Sequence, residues 1–188
     1  MSSAPVPPMR RDALESGRRN LAAHDHALHV FSSEAQLGEG LAAFVREGEA
    51  QNELCVFVHS FPHDEDAWRF LERSLEGRAP PRDMVLVRLY TQAFQGASPR
   101  IDHAHVAAVV DSLTALASKD GRASVRIFVD ASRRYLGTGR ADEWFAFEAW
   151  LGRRLAATVG LVCAYQKSDV YDPAHVARVL ETHAYRFA

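Results

Sequence analysis

The chain has 188 residues, 47% of them hydrophobic, which suits one domain with a sizeable core and excludes global disorder. Its 22 basic and 24 acidic residues leave a formal charge of −2, so no global basic footprint for nucleic acid exists. No apolar run approaches the roughly 20 residues that span a bilayer, and Met1 to Pro8 lacks the apolar stretch of a secretory signal.

Residues 1–20 read as a flexible tail. Pro5, Pro7 and Pro8 oppose regular structure, and Arg10, Arg11, Arg18 and Arg19 are solvated charges. A short helix over 12–21 is the most order expected there. The folded domain is predicted over 21–188. It opens with a strand over Ala27 to Phe31, whose alternation puts His26 and Leu28 on one face and His29 on the other. Leu37, Leu41, Phe44 and Val45 then follow helical spacing. A second strand is predicted over Leu54 to Val58. The segment after it, His59 to Asp66, has no Gly or Lys and carries three acids, so it cannot cradle phosphate.

Met84 to Tyr90 predicts a third strand, and Gln95 to Pro99 a loop. Val106, Val109, Val110 and Leu113 predict a second amphipathic helix. Val125 to Val129 is predicted to be a central strand, followed by a loop over Tyr135 to Arg140. A third helix is predicted over 141–157, a strand over Val159 to Ala164, and a fourth helix from Pro173 to Thr182 with Asp172 as its N-cap. Continuous apolar strands alternating with helices argue for an α/β, three-layer sandwich with a mainly parallel central sheet. Cys55 and Cys163 lie inside apolar strands, as buried free thiols do, which favours a reducing, cytoplasmic setting.

Ligands of parallel sheets bind beyond the carboxyl ends of the strands. His59-Ser60, Tyr90-Thr91, Asp130-Ala131-Ser132 and Tyr165-Gln166 are expected on one such rim. Glu148 interrupts the apolar face formed by Trp144, Phe147, Leu151 and Leu155. A carboxylate there needs a partner, either Arg126 of the adjacent strand or a ligand site. A rim pocket is predicted that gathers Asp130, Glu148, Tyr165 and His26, with Trp144 and Phe147 as walls. Nine histidines invite a metal reading, and His26, His183 and Cys163 are its best set. Without HExxH or CxxC spacing, no metal and no cofactor is assigned. Ser60 lacks a GxSxG elbow and Cys163 lies within a strand, so neither reads as a nucleophile.

The stretch His26-Ala27-Leu28-His29-Val30-Phe31, then Leu37, Phe44 and Gly48, then Asn52-Glu53-Leu54-Cys55-Val56, resembles the opening of the MEDS domain. This is the sensory domain of methanogen and methylotroph regulators of the DcmR type. Arg126 to Asp130 resembles that family's central strand, Phe147-Glu148 its aromatic/acidic pair, Leu161 to Tyr165 its L-C-x-Y stretch, and His183 its terminal histidine. The resemblance spans about residues 24–188. Phe31, Leu28 and Glu49 depart from the family's tyrosine, cysteine and leucine.

The resemblance implies a RecA/KaiC-like fold without its phosphate loop, Asp130 standing where a Walker-B carboxylate would. It also implies a ligand-sensing function directed at small organic molecules, hydrocarbon derivatives among them. The expected ligand-binding residues are His26, Asp130, Trp144, Glu148, Tyr165 and His183. The expected partners are that small molecule and a regulatory protein, such as a kinase or transcription factor, with no direct nucleic acid, no membrane, and homo-oligomerisation left open. The rival readings are a metal- or nucleotide-dependent enzyme of RecA-like ancestry using Asp130 and Glu148, and a structural adaptor.

Overall fold

The computed structural model describes residues 21–88, 101–130, 135–136, 139–155 and 158–187. The expected tail, Tyr90-Thr91, the Gln95 to Pro99 loop and Ala131-Ser132 lie outside them. Six strands form one sheet: β1 (His26–Phe31), β2 (Leu54–His59), β3 (Val85–Arg88), β4 (Val125–Val129), β5 (Val159–Gln166) and β6 (Tyr185–Arg186). Their order is β3-β2-β4-β5-β1-β6, and every pairing is parallel. The sheet is thus wholly parallel, and β4 sits in its middle as expected.

Helices α1 (Glu34–Ala50), α2 (Asp64–Ser74), α3 (His103–Lys119), α4 (Ala141–Arg154), α5 (Lys167–Val170) and α6 (Val176–Thr182) cover the sheet. Right-handed crossovers fix their sides. The chain moves across the sheet in one direction from β1 to β3 and in the other from β3 to β6. α1 and α2 therefore cover one face, and α3, α4 and α6 the other. Cover on both faces explains why β1, β4 and nearly all of β2 and β5 are buried at every position.

Local signals set the helix ends. Ser33 caps α1 by accepting from the Gln36 amide, and Asp102 caps α3 by accepting from Ala104 and His105. Asp64, Glu65 and Asp66 occupy the first turn of α2, where negative charge favours the helix dipole. No helix is predicted here from the sequence, yet these acids start one that buries Ala67, Phe70 and Leu71. The last helix also differs from expectation. Asp172 accepts from the Ala174 amide, yet α6 begins only at Val176, after a turn. Cys55 and Cys163 are buried and free.

The α1 side carries a buried polar network. Arg126 of β4 pairs with Glu53, reaches Glu47 at 3.3 Å, and donates to the Phe44 carbonyl at 3.0 Å. Gly48 of α1 makes room for it: a Cβ there would stand 2.7 Å from Arg126 Cδ and 2.3 Å from Cys55 Sγ.

Candidate functional site

Strand register decides which side chains meet on the α4 face. His26 is level with Leu161, Leu28 with Cys163, and Val30 with Tyr165. Alternation turns His26, Cys163 and Tyr165 toward α4, whose residues Trp144, Phe147, Glu148 and Leu151 face the sheet. His183 follows α6 and closes the group, its ring centroid 4.3 Å from that of His26. The result is a polar cluster sealed between sheet and helices. Glu148 is fully buried, and His26, Cys163, Tyr165 and His183 are at most 2% exposed.

The bonds within it form a directed chain. The Trp144 indole N–H donates to the Tyr165 hydroxyl at 2.7 Å, and that hydroxyl donates to Glu148 Oε2. His183 Nδ1 bonds to the Val179 carbonyl at 2.8 Å, so Nδ1 carries the proton and Nε2 is a free lone pair. His183 Nε2 and Glu148 Oε1 face each other at 3.6 Å, beyond a good hydrogen bond, and both atoms are buried without a partner. His26 Nε2 lies 3.4 Å from Cys163 Sγ. Burial pushes the His26 imidazole well below its usual pKa, and the neighbouring His183 adds to the effect. Burial, and then the Glu148 carboxylate, push both the Cys163 thiol and the Tyr165 phenol well above theirs.

Trp144 also belongs to an apolar cavity on the same face. The cavity measures about 90 Å³ and lies between α3, α4 and the sheet. Val106, Val109 and Val110 of α3 and Phe147 and Leu151 of α4 wall it, and Val58, Ile127 and Leu161 form its floor. His105 stands on its margin. Polar cluster and apolar cavity share two walls, α4 and β5, and the indole of Trp144 bridges them.

Five of the six expected site residues therefore converge: His26, Trp144, Glu148, Tyr165 and His183. Asp130 does not join them. It continues β4 with its amide donating to the Val58 carbonyl, and alternation sends its side chain with Arg126 and Phe128 to the α1 face. The convergence runs along the strands and is not confined to the carboxyl rim: His26 opens β1 at its amino end, Glu148 lies at mid-helix, and Tyr165 stands one residue before the end of β5. Arg126 is not the partner of Glu148, because Arg126 projects from β4 to the α1 side while Glu148 reaches the opposite face of the sheet from α4. The cavity floor and its α3 wall were missed in the sequence. Valines on the apolar face of α3 signal a core contact there, and nothing in their spacing marks a void.

No curated protein matches the chain. The family model of the MEthanogen/methylotroph, DcmR Sensory domain matches residues 25–184, most of the chain. The chain, whose sheet carries this paired cluster and cavity, belongs to the MEDS sensory-domain family.

Proposed function

We propose that this sensory domain detects a small, mainly apolar molecule that enters the cavity between α3 and α4. The observation that carries the reading is the contact between an apolar void and a buried polar relay through Trp144. Small-molecule sites combine apolar walls with a few placed polar groups, and this arrangement has that form. Size narrows the ligand. A cavity of about 150 Å³ accepts benzene, so about 90 Å³ suits a molecule of on the order of four non-hydrogen atoms. A short-chain hydrocarbon derivative fits, its apolar end on Ile127 and Leu161 and its polar end toward the indole.

The occupant would shift Trp144, and with it the Tyr165–Glu148 contact that ties α4 to β5. A displaced α4 is the signal a regulatory protein partner would read. Descent from a RecA/KaiC-type nucleotide-binding fold is part of the same reading, with the nucleotide site lost. The three acids in the first turn of α2 occupy a helix N-terminus that would otherwise favour phosphate.

The test is a thermal-shift and tryptophan-fluorescence screen with alcohols, ketones and halogenated alkanes of one to six carbons. A ligand at 100 times its Kd stabilises by about 2.7 kcal/mol, which raises Tm by several degrees. The expected response peaks at two to four carbons and disappears in Val109→Phe, which fills the cavity. An unchanged Tm across the series, or an equal response in Val109→Phe, refutes the reading.

A further inference from the structure

The buried cluster under α4 holds more donor atoms than a relay needs. One ligating atom each from His26, Glu148, Cys163 and His183 lies within 4.8 Å of the others. We propose that these four residues form a closed, four-ligand site for a divalent transition metal of the zinc class.

Geometry supports it first. Donors bound at 2.0–2.3 Å around a tetrahedral ion stand about 3.3–3.8 Å apart. The His26–Cys163 and His183–Glu148 pairs already stand at 3.4 and 3.6 Å. Donor chemistry agrees. Two imidazoles, a thiolate and a carboxylate suit zinc, and the sulfur argues against magnesium or calcium. Charge balance is the third support. A thiolate and a carboxylate neutralise a divalent ion, which leaves a buried site with no net charge. Among the described residues Glu148 makes no ion pair with Lys or Arg, so a buried carboxylate there otherwise has no counter-charge.

The surroundings aim the donors inward. The Val179 carbonyl holds the proton on His183 Nδ1, which directs the Nε2 lone pair at the cluster. Tyr165 occupies Glu148 Oε2 and leaves Oε1, the partnerless oxygen, free to ligate. Burial keeps His26 neutral and ligand-competent. Metal binding would displace the Cys163 proton to solvent as the sulfur becomes thiolate. Four protein ligands close the coordination sphere, which marks an organising site and not a hydrolytic one. The ion would tie β1, α4, β5 and the segment after α6 together. The metal site does not depend on the cavity accepting a ligand.

The test uses the full chain, free of any affinity tag, stripped with chelator and reloaded with Zn²⁺ or Co²⁺ alone. One equivalent is expected by elemental analysis, with a rise in Tm. The Co²⁺ form should show intense tetrahedral d–d bands and a thiolate-to-cobalt charge-transfer band. The chain has two cysteines, so the band's origin is decidable. It should vanish in Cys163→Ser and persist in Cys55→Ser. Tyr165→Phe, which keeps all four ligands, should retain the band and bind Zn²⁺ about 10–100-fold more weakly. It keeps the proposal testable if Cys163→Ser fails to fold. Less than a tenth of an equivalent after reloading overturns the site. So does a band that follows Cys55, or metal that is lost only in the His103→Gln/His105→Gln variant.

Discussion

Two buried ionisable side chains on opposite faces of the sheet, Arg126 and Glu148, meet different surroundings. Arg126 is 0% exposed and satisfied on all sides, with two glutamates and the Phe44 carbonyl around its fork. Glu148 is equally buried but meets one hydroxyl, one imidazole and the Cys163 thiol, and no Lys or Arg among the described residues. The first arrangement is a structural bolt between β4 and α1. The second retains unsatisfied lone pairs, on Glu148 Oε1 and His183 Nε2, which is what a binding cluster needs. Removing the guanidinium would leave Glu53 and Glu47 uncompensated in the interior. Arg126→Met should therefore cost about 3–5 kcal/mol in urea unfolding. Arg126→Lys should recover only part, because an ammonium cannot present two N–H groups in one plane. A loss below about 1 kcal/mol in Arg126→Met would show that the network is replaceable. The sequence marks Glu148 as unusual because it breaks an apolar face. It does not reveal which face of the sheet Arg126 takes, and so leaves Arg126 open as one of two partners for Glu148.

At the level of elements, continuous apolar strands and periodic helices made β1, β2, β4, β5, α1, α3 and α4 readable. The missed elements share a physical reason. α2 opens on polar residues, and its fully buried positions are only Ala67, Phe70 and Leu71. β6 has two residues, too few for any period to show. Helix–sheet distance was also invisible, since amphipathic patterning reports a face and not its separation. Glycines report the separation. A Cβ at Gly48 would meet Cys55 Sγ at 2.3 Å, and one at Gly40 would meet the His29 ring at 2.3 Å, so α1 lies close on the sheet. At Gly152 of α4 the nearest neighbour of such a Cβ is His26 Nδ1, at 3.3 Å. Glycine to alanine within a helix gains about 1 kcal/mol of propensity. Overpacking typically costs 1–3 kcal/mol, so Gly48→Ala should destabilise on balance by up to about 2 kcal/mol. Gly152→Ala should be neutral or stabilising. Equal Tm values for the two variants would mean that α1 can retreat from the sheet without penalty.

For the molecule as a whole, the parallel three-layer architecture was legible and the site's location was only partly so. The strand order sets β1 beside β5, which brings His26 within reach of Cys163 across 137 positions of sequence. No local pattern encodes that adjacency. The same enclosure buries two histidines away from the cluster, and they make stability depend on pH. His29 sits between the Phe187 carbonyl at 3.2 Å and the Gln36 carbonyl at 3.1 Å. Those carbonyls favour its protonated form, but burial outweighs them and lowers its pKa from 6.5. Burial also lowers His59, with Asp64 at 3.5 Å opposing the shift. Both groups are neutral in folded and unfolded chains above pH 6.5, and there their contribution to stability is complete. As pH falls through 6.5 the unfolded chain takes up protons first, so the folded state loses ground. Each histidine removes up to about 1.4 kcal/mol per pH unit until the pH passes below its folded pKa. Urea unfolding at pH 7.5, 6.5 and 5.5 should show this fall. His29→Gln and His59→Gln, which cannot take up the proton, should each flatten the curve between pH 6.5 and 5.5. If both variants keep the wild-type slope, the acid sensitivity arises elsewhere and burial of these two rings has no thermodynamic consequence in that range.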